Sequence, residues 1–493
     1  MKRTIEAANV YAQEEARFVD RRYYPDYHAA PPVGWINDPC GFTEAFGKYH
    51  LYGQYHPYSS QWGPMHWGHW TSGDLVRWDW QGTALAPDAD ADEGGCFTGT
   101  AQMNGEEMLA AYTGLEADGN GGYYQQQCVA VSRDGFHFEK SGRNPVIDRK
   151  MLPKGGSPVD FRDPCLFRWG DEWRLLATNR SEKGGTLLQF ASHDGQHWEY
   201  RGVFLDGFKQ MLECPNLIVQ DGRALLILSV MDLPMEGRKY PHSNPSIVLW
   251  GTVDENAAHF SEEGRAALDN GWDYYAPQMM KSRDGRILMA GWMQAWAHRM
   301  PTDTLGHGWN GCMALVRELS WENGRLIQRP IREIEKYRGG KTEKAGGLEK
   351  GEAWKWAVPV CAEMTFCFRN VGEQTLRLSL LKDDEQEFRG EYDGGEQVLR
   401  VDATRSGYPT TGEKASESQM TAEADVPLRD GRLELRIFVD RCSVEIFIQG
   451  GEKVMSTRVF PKKPGREIVL STSGEGCDAE AILYELNGER KSK

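Results

Sequence analysis

Residues 72–78 read SGDLVRW, and the same pattern returns as SRDGFHF at residues 132–138 and as SHDGQHW at residues 192–198. The serines of the three copies are 60 residues apart, and a degraded copy begins at Thr252, another 60 residues along the chain. Asp and Gly favour tight turns, and the closing aromatic residue can pack back onto a hairpin. A period of this length, kept in register, indicates repeated antiparallel units rather than a β-helix or a sandwich.

Strand-like runs accompany the repeat. They lie at residues 48–54, 108–112, 173–177, 224–229 and 287–292. A further short apolar segment precedes each of them, so every unit contains several strands. Five such units predict an all-β fold whose larger part is a five-bladed β-propeller.

The composition changes after Pro330. Residues 336–351 are rich in Lys, Glu and Gly, and we interpret them as a linker. Short alternating runs follow, which fit an antiparallel β-sandwich. They lie at residues 364–368, 376–381, 433–439, 443–448 and 467–471. We therefore predict a propeller domain at residues 1–335, with a short helical arm at 1–25, and a C-terminal β-sandwich domain at 352–493.

Charge and targeting signals narrow the possible partners. The chain has 72 acidic and 57 basic side chains, a formal net charge of −15, which disfavours nucleic acid and anionic membranes as partners. Residues 1–18 lack the apolar core of a secretory signal, and no apolar run could span a bilayer, so we expect a cytoplasmic protein. The 10 cysteines include no C-x-x-C pair, which predicts reduced thiols. We expect neither a metal nor a cofactor.

Acidic residues stand at matching places in the segments that open three of the units. The first opens with WINDPCG, which contains Asp38, the third with FRDPC, which contains Asp163, and the fourth with ECPN, which begins at Glu213. The first strands of a propeller line its central channel, so these carboxyl groups should meet in one cavity. A single Asp-Pro is more often a turn, but three matched acids beside aromatic residues are typical of a glycosidase site.

These motifs resemble glycoside hydrolase family 32, the invertase and fructanase group. WINDPCG is similar to the family's W-[MI]-N-D-P-N-G signature, and FRDP, ECP and WDYYAPQ (residues 272–278) follow in the same order. FVDRCSVEIF at residues 438–447 is similar to the signature of the family's sandwich domain. The resemblance therefore covers nearly the whole chain.

The resemblance implies a β-fructofuranosidase. Such an enzyme hydrolyses terminal β-D-fructofuranosyl bonds of sucrose, sucrose 6-phosphate or short fructo-oligosaccharides, with retention, through a covalent fructosyl–enzyme intermediate. By this resemblance Asp38 is the nucleophile, Glu213 the acid/base and Asp163 the transition-state stabiliser. The positions that match sugar-contacting residues of the family are Asn37, Gln54, Trp62, Phe97, Thr98, Arg162 and Trp292. Two residues depart from the family pattern, since Cys40 replaces the usual Asn and Thr98 the usual Ser.

Two other functions stay open from the sequence. A fructosyltransferase would use the same residues, and a comparison of released glucose with free fructose would separate it from a hydrolase. A non-catalytic sugar-binding propeller would bind sucrose without turnover. The expected partner is a small sugar, and His298 and Arg299 are the candidates for contact with a substrate phosphate. The sandwich domain offers a surface for a homo-oligomer, whose existence the sequence does not decide.

Overall fold

The computed structural model describes residues 3–487 except 221, 297, 358, 413–418 and 466. The predicted all-β class and the N-terminal helix are confirmed. Helix α1 (Ile5–Glu15) begins where the Thr4 hydroxyl accepts a hydrogen bond from the N–H of Ala7 (3.2 Å), a standard N-cap. The helix lies on sheet I, where the Asn9 carboxamide oxygen accepts from the N–H of Thr83 (2.8 Å). In the part of the chain described here, no helix is both long and apolar enough to cross a membrane.

The N-terminal part folds into sheets I to V, formed from consecutive antiparallel strands. Sheet I contains β1 (Gly34–Ala45), β2 (Lys48–His56), β3 (His66–Ser72) and β4 (Asp79–Leu85). Sheet II contains β5 (Cys96–Asn104), β6 (Glu107–Ala117), β7 (Tyr123–Ser132) and β8 (Phe138–Lys140). Sheet III contains β9 (Phe161–Trp169), β10 (Glu172–Ser181), β11 (Gly184–Ser192) and β12 (Glu199–Phe208).

The later strands complete this part of the fold. Sheet IV contains β13 (Leu212–Gln220), β14 (Arg223–Val230), β15 (Ser246–Val253) and β16 (Phe260–Ala267). Sheet V and its connections contain β17 (Tyr275–Lys281), β18 (Ile287–Trp292), helix α2 (Pro301–Thr304), β19 (Trp309–Asn310), β20 (Arg317–Glu322) and β21 (Arg325–Pro330). Strand β19 pairs in parallel with β1 and is therefore part of sheet I. This pairing connects the last of the five sheets to the first. Short 3₁₀ turns lie at Ala16–Phe18, Asp90–Asp92, Arg149–Met151, Arg332–Tyr337 and Gln449–Gly451.

The sequence repeat forms the turn between the third and fourth strands of sheets I, II and III. In sheet II the Ser132 hydroxyl accepts from the N–H of Gly135 (2.9 Å), and Asp134 Oδ1 accepts from the N–H groups of Phe136 (2.7 Å) and His137 (2.9 Å). The copies at residues 72–78 and 192–198 make the same bonds. The prediction that these acids are turn residues is confirmed.

A bulge interrupts the first strand of each of sheets I to V at the same point. Pairing with the second strand skips residues 37–38, 97–98, 163–164, 214–215 and 276–277. Asp163, Cys214 and Ala276 adopt the left-handed conformation there, with φ between 50° and 61°. A bulge redirects side chains, and bulges are common beside active sites. The predicted catalytic acids lie in or next to three of these bulges.

The first strands contact one another in a closed cycle. Strand β1 contacts β5, β5 contacts β9, β9 contacts β13, β13 contacts β17, and β17 contacts β1. Polar side chains beyond the bulges join the first strands of different sheets. Gln278 donates to the carbonyl of Gly99 (2.7 Å), and the Thr100 hydroxyl donates to that of Pro164 (3.0 Å). These bonds occupy main-chain carbonyl groups in or next to the bulges and tie first strands of different sheets together.

The C-terminal part contains two six-stranded sheets. Its strands are β22 (Arg338–Glu349), β23 (Ala353–Ala357), β24 (Ala362–Arg369), β25 (Thr375–Lys382), β26 (Phe388–Asp393), β27 (Val398–Asp402), β28 (Thr421–Asp425), β29 (Arg432–Asp440), β30 (Ser443–Ile448), β31 (Lys453–Arg458), β32 (Glu467–Thr472) and β33 (Gly476–Leu486). Sheet VI has the order β22-β33-β24-β29-β30-β31, and sheet VII has the order β23-β32-β25-β26-β27-β28. Buried residues of both sheets, among them Phe366 and Leu470, share one hydrophobic core.

The segment interpreted as a linker, residues 336–351, is mostly strand β22, which pairs with β33 at the edge of sheet VI. Its side chains are almost all exposed, and Leu348 is its buried residue. An edge strand held by main-chain pairing needs no apolar alternation, and Lys and Glu discourage further strands from adding to it. This explains why a polar, glycine-containing sequence forms a strand and why its pattern suggested a linker.

Buried charges join the two parts of the chain. The ring of His28 lies 2.8 Å from Asp440 Oδ2 and 2.9 Å from Glu445 Oε1. Burial alone would lower the pKa of His28, but the two carboxylates raise it to about 10. Arg317 of sheet V is also buried, and its Nη2 donates to the hydroxyl of Ser456 on strand β31 at 2.8 Å. Paired buried charges are costly to separate, so the contacts of His28 with Asp440 and Glu445 hold the two parts in one arrangement.

Candidate active site

A cavity of about 370 Å³ opens where the first strands meet. Of the residues predicted for the site, Asp38, Gln54, Trp62, Phe97, Arg162, Asp163 and Glu213 line it. Gln125, Asp160, Met231 and Trp296 complete the wall. A larger groove, of about 530 Å³, lies between sheets IV and V, but none of the predicted site residues lines it and its Arg286 is already paired with Glu333 at 2.9 Å.

Asp38 lies in the bulge of β1 and is 5% exposed. Its Oδ2 accepts from the Thr98 hydroxyl (2.6 Å), from Gln54 Nε2 (3.1 Å) and from the Cys214 thiol (3.5 Å), and its Oδ1 accepts from Asn37 Nδ2 (3.1 Å). Burial and the charge of Glu213 raise the pKa of Asp38 to about 6, while these donors oppose the increase. The carboxyl is thus mainly ionised at neutral pH although it is buried.

Asp163 lies in the bulge of β9 and is 4% exposed. Its Oδ2 accepts from the N–H of Cys214 at 3.0 Å, and the Arg162 Nε lies 4.0 Å away. Burial raises the pKa of Asp163, Arg162 opposes this, and the charges of Glu213 and Asp38 add to it. Cys214 therefore touches two acids at once, because its thiol lies 3.5 Å from Asp38 Oδ2 and 3.7 Å from Asp163 Oδ2.

Glu213 stands immediately before the bulge of β13, and 12% of its side chain is exposed. The Tyr275 hydroxyl donates to its Oε2 at 2.6 Å, and Arg162 donates to its Oε1 from Nε (3.2 Å) and Nη2 (3.1 Å). The carboxyl is held by two neighbours while part of it still faces the cavity. This geometry suits a group that exchanges a proton with a substrate.

Arg162 links the acids to the outer wall. Its Nη1 lies 3.2 Å from Asp160 Oδ1 and 3.3 Å from Gln125 Oε1. Asp160 in turn accepts from Arg180 Nε at 3.1 Å. Burial alone would lower the pKa of Arg162, but the carboxylates paired with it raise the pKa, so the guanidinium stays charged.

The predicted sugar-contacting residues differ in how far they reach into the cavity. Trp62 is 51% exposed at the mouth of the cavity and meets Phe97 edge-on, with ring centroids 5.8 Å apart. Asn37 and Thr98 lie behind the carboxylate of Asp38 and are buried. Trp292 is fully buried and packs against Trp35 and Trp296. At this side Trp296 forms the wall of the cavity.

Several residues of the site were not identified from the sequence. Tyr275 lies in the WDYYAPQ motif, so its position next to Glu213 could have been suspected from the resemblance. Gln125 lies on β7 and Met231 and Trp296 lie after strands, where no motif marked them. Cys40 is fully buried, and its thiol lies 3.5 Å from the carbonyl oxygen of Asp38. It therefore packs behind the site.

His298, a candidate for contact with a substrate phosphate, is 8% exposed, and its Nδ1 lies 3.1 Å from Asp273 Oδ1. This ring nitrogen is thus already hydrogen-bonded to a carboxylate. Arg299 is exposed, and its main chain pairs with that of Thr411. Among the described residues, Arg162 is the one basic side chain that lines the cavity, together with four acids.

Asp26, Cys361 and Asp440 lie close enough to share a metal ion, with ligand atoms within 4.8 Å of one another. Their atoms already serve other partners. Arg441 Nε donates to Asp26 Oδ2 at 2.8 Å, and His28 binds Asp440. The Cys361 thiol lies 3.0 Å from Asp26 Oδ2, and burial raises its pKa, which disfavours the thiolate that a metal would require. The donor set fits the contact between the two parts of the chain better than it fits a metal.

Comparison with known proteins places the chain in a family. Residues 28–330 match the family model described as the N-terminal domain of glycosyl hydrolases family 32, and residues 332–485 match that of the family's C-terminal domain. The chain belongs to glycosyl hydrolase family 32. The family 32 protein is thus a glycoside hydrolase, and the expected relationship is confirmed.

Relatives of this family 32 protein match along its whole length. It is 35% identical to a sucrose-6-phosphate hydrolase of Escherichia coli, with 96% of this chain and 97% of the relative covered. It is 30% identical to a raffinose invertase of Escherichia coli, with 99% and 100% covered. Among solved structures, a β-fructofuranosidase of Bombyx mori matches with a TM-score of 0.83, 29% identity and 98% of each chain covered. A sucrose-6-phosphate hydrolase of Lactobacillus gasseri matches with a TM-score of 0.87, 25% identity, and 99% and 98% covered.

Proposed function

We propose that this family 32 enzyme hydrolyses terminal β-D-fructofuranosyl bonds of sucrose, sucrose 6-phosphate or short fructo-oligosaccharides with retention of configuration. The observation that carries the proposal is the meeting of Asp38, Asp163 and Glu213 in one cavity. The relatives named above support the substrate class, and one neighbour, a variant of the Bombyx mori enzyme, is known in complex with sucrose.

Asp38 acts as the nucleophile in this proposal. Its carboxylate attacks the anomeric carbon C2 of the fructosyl unit, and the bond from C2 to the bridging oxygen breaks. Thr98, Gln54 and Asn37 donate to this carboxylate and keep it ionised and oriented. Water attacks C2 in the second half of the reaction, and the Asp38 carboxylate is released.

Glu213 acts as the acid/base. In the first step its carboxyl group gives a proton to the departing oxygen, and in the second step the carboxylate removes a proton from the attacking water. Tyr275 and Arg162 hold the group in place during both steps. The positive charge of Arg162 also limits the repulsion among three closely placed acids.

Asp163 serves as the transition-state stabiliser and binds fructose hydroxyls without forming a bond to C2. The N–H of Cys214 fixes one of its oxygens. Because the pKa of this carboxyl is raised, the group can donate a hydrogen bond to a sugar hydroxyl when it holds a proton, and accept one when it does not.

We also propose the architecture that supports this site. Sheets I to V are taken as the blades of a five-bladed β-propeller, since their first strands contact one another in a cycle. Sheets VI and VII are taken as a β-sandwich, with the domain boundary between Pro330 and Arg338. We also propose a cytoplasmic location. Both free and phosphorylated sucrose are proposed as substrates.

The test is a comparison of initial rates on sucrose, sucrose 6-phosphate, 1-kestose and inulin for the wild type and Glu213→Gln. We expect turnover of at least one of the small substrates and a loss of about a hundredfold or more in the variant. A ratio of free fructose to glucose near one supports hydrolysis over transfer. A wild type as inactive as the variant on all four sugars, while still binding sucrose, would favour a binding protein instead.

A further inference from the structure

One wall of the cavity belongs to a segment that the C-terminal part holds in place. Residues 293–300 connect β18 to α2, and Trp296 in this segment lines the cavity. Its ring stacks on that of Trp35, with centroids 6.5 Å apart, and meets Trp292 edge-on at 5.1 Å. Among the described residues of this segment, 293–296 and 298–300, none belongs to a helix or strand, so the position of the ring depends on other contacts.

The two flanks of the segment are bonded to different elements. At one end the N–H of Met293 donates to the carbonyl of Cys312 (2.8 Å). At the other end the main chain of Arg299 pairs in both directions with Thr411 of the C-terminal part, at 2.7 and 3.1 Å. Trp296 lies between these attachments and is therefore held partly by the C-terminal part.

The middle of the segment is fixed by a buried pair. His298 Nδ1 lies 3.1 Å from Asp273 Oδ1, and both residues are almost fully buried. The other oxygen of Asp273 accepts from the N–H of Arg458 on strand β31 at 2.7 Å, and the N–H of Asp273 donates to the carbonyl of Ser456 at 3.2 Å. A chain of bonds thus runs from sheet VI through Asp273 and His298 to the segment that carries Trp296.

We propose that His298 is a positioning residue for sugar binding, which holds Trp296 against the substrate by tying its segment to strand β31 through Asp273. The inference rests on the proposed function, since it assigns Trp296 to the sugar site. An aromatic ring can pack against the apolar face of a sugar, and a ring that moves freely loses much of this contact. The C-terminal sheet is in this way part of the binding site although none of its described residues lines the cavity.

The experiment compares His298→Ala, His298→Asn, Trp296→Ala and the double alanine variant on sucrose. His298→Ala should raise KM about three- to tenfold with kcat within about twofold of the wild type. Asn places an amide N–H where Nδ1 stands, so His298→Asn should restore KM. The double variant should bind no more weakly than Trp296→Ala, because both changes remove the same contact.

Calorimetric binding of sucrose in the Glu213→Gln background supplies a readout that does not need turnover. Weaker binding in His298→Ala, recovered in His298→Asn, supports the inference even if sucrose proves a poor substrate. The inference is overturned if His298→Ala binds sucrose like its parent, or if the effects of His298→Ala and Trp296→Ala add. If His298→Ala does not fold, His298→Asn and Trp296→Ala decide. An unchanged KM in Trp296→Ala also overturns the inference.

Discussion

Thr98→Val tests how the buried nucleophile is kept ionised. The Thr98 hydroxyl donates to Asp38 Oδ2 at 2.6 Å, and valine has nearly the same shape without the donor. A hydrogen bond to a charged group contributes about 1.5–3 kcal/mol. Since one pKa unit corresponds to about 1.4 kcal/mol, the loss should raise the pKa of Asp38 by roughly one to two units from its value of about 6.

The assay is the pH dependence of kcat/KM on sucrose, which reports ionisations of the free enzyme. Asp38 must be ionised to attack, so the rate should fall on the acid side near pH 6 in the wild type and at a pH roughly one to two units higher in Thr98→Val. Thr98→Ser keeps the hydroxyl and is the matched control, with an acid limb close to that of the wild type. The reasoning fails if Thr98→Val leaves the acid limb where it was, or if Thr98→Ser moves it as far.

Three further predictions follow from single contacts. Tyr275→Phe removes the hydroxyl that donates to Glu213 and should lower kcat about 10- to 100-fold. The control is Tyr274→Phe, whose hydroxyl has no hydrogen-bond partner in the described structure, and its kcat should stay within about twofold of the wild type. Equal kcat values for the two variants would contradict this. Native protein treated with iodoacetamide should be labelled at the partly exposed Cys367 and not at Cys214. Cys214 is buried, and burial together with the nearby acids raises the pKa of its thiol well above the usual value; peptide mapping that finds rapid labelling of Cys214 would refute this argument. The free energy of unfolding, measured with urea at pH 5 and pH 7, should be smaller at pH 5, because histidines with a pKa lowered by burial take up protons only on unfolding. Each contributes about 1.4 kcal/mol per pH unit below its ordinary pKa of 6.5. The raised pKa values of Asp38, Asp163 and His28 partly offset this loss, and no loss of stability at pH 5 would contradict the prediction. These histidines are His50, His56, His66, His69, His242 and His307.

Much of the N-terminal part could be predicted from the sequence because its signals are local. The repeated turns depend on Ser and Asp side chains that bond main-chain groups two or three residues away. The bulges leave a local trace as well, since Pro164, Pro215 and Pro277 lie inside them, where no N–H is needed for strand pairing. The three acids could be placed in one cavity for this reason.

What the sequence did not indicate depends on contacts between distant segments. Strand β22 carries no apolar alternation because it is an exposed edge strand, so its residues resembled a linker. The bond between His298 and Asp273 joins residues that no motif connects, and it engages Nδ1 of a residue that the sequence suggested for contact with a phosphate. Trp296 was missed in favour of Trp292 because the choice of wall residue depends on how this segment folds over the cavity.

The central claim is that Asp38 forms a covalent bond with the fructosyl unit while Glu213 transfers protons. It is tested most directly with Glu213→Gln and a fructofuranoside whose leaving group needs no acid, such as p-nitrophenyl β-D-fructofuranoside. The first step then proceeds, and the second is slow because no base activates water. Mass spectrometry of the rapidly quenched protein should show an added fructosyl unit, which peptide mapping locates on Asp38. A burst of p-nitrophenol with no adduct, or an adduct on Asp163, would contradict the account.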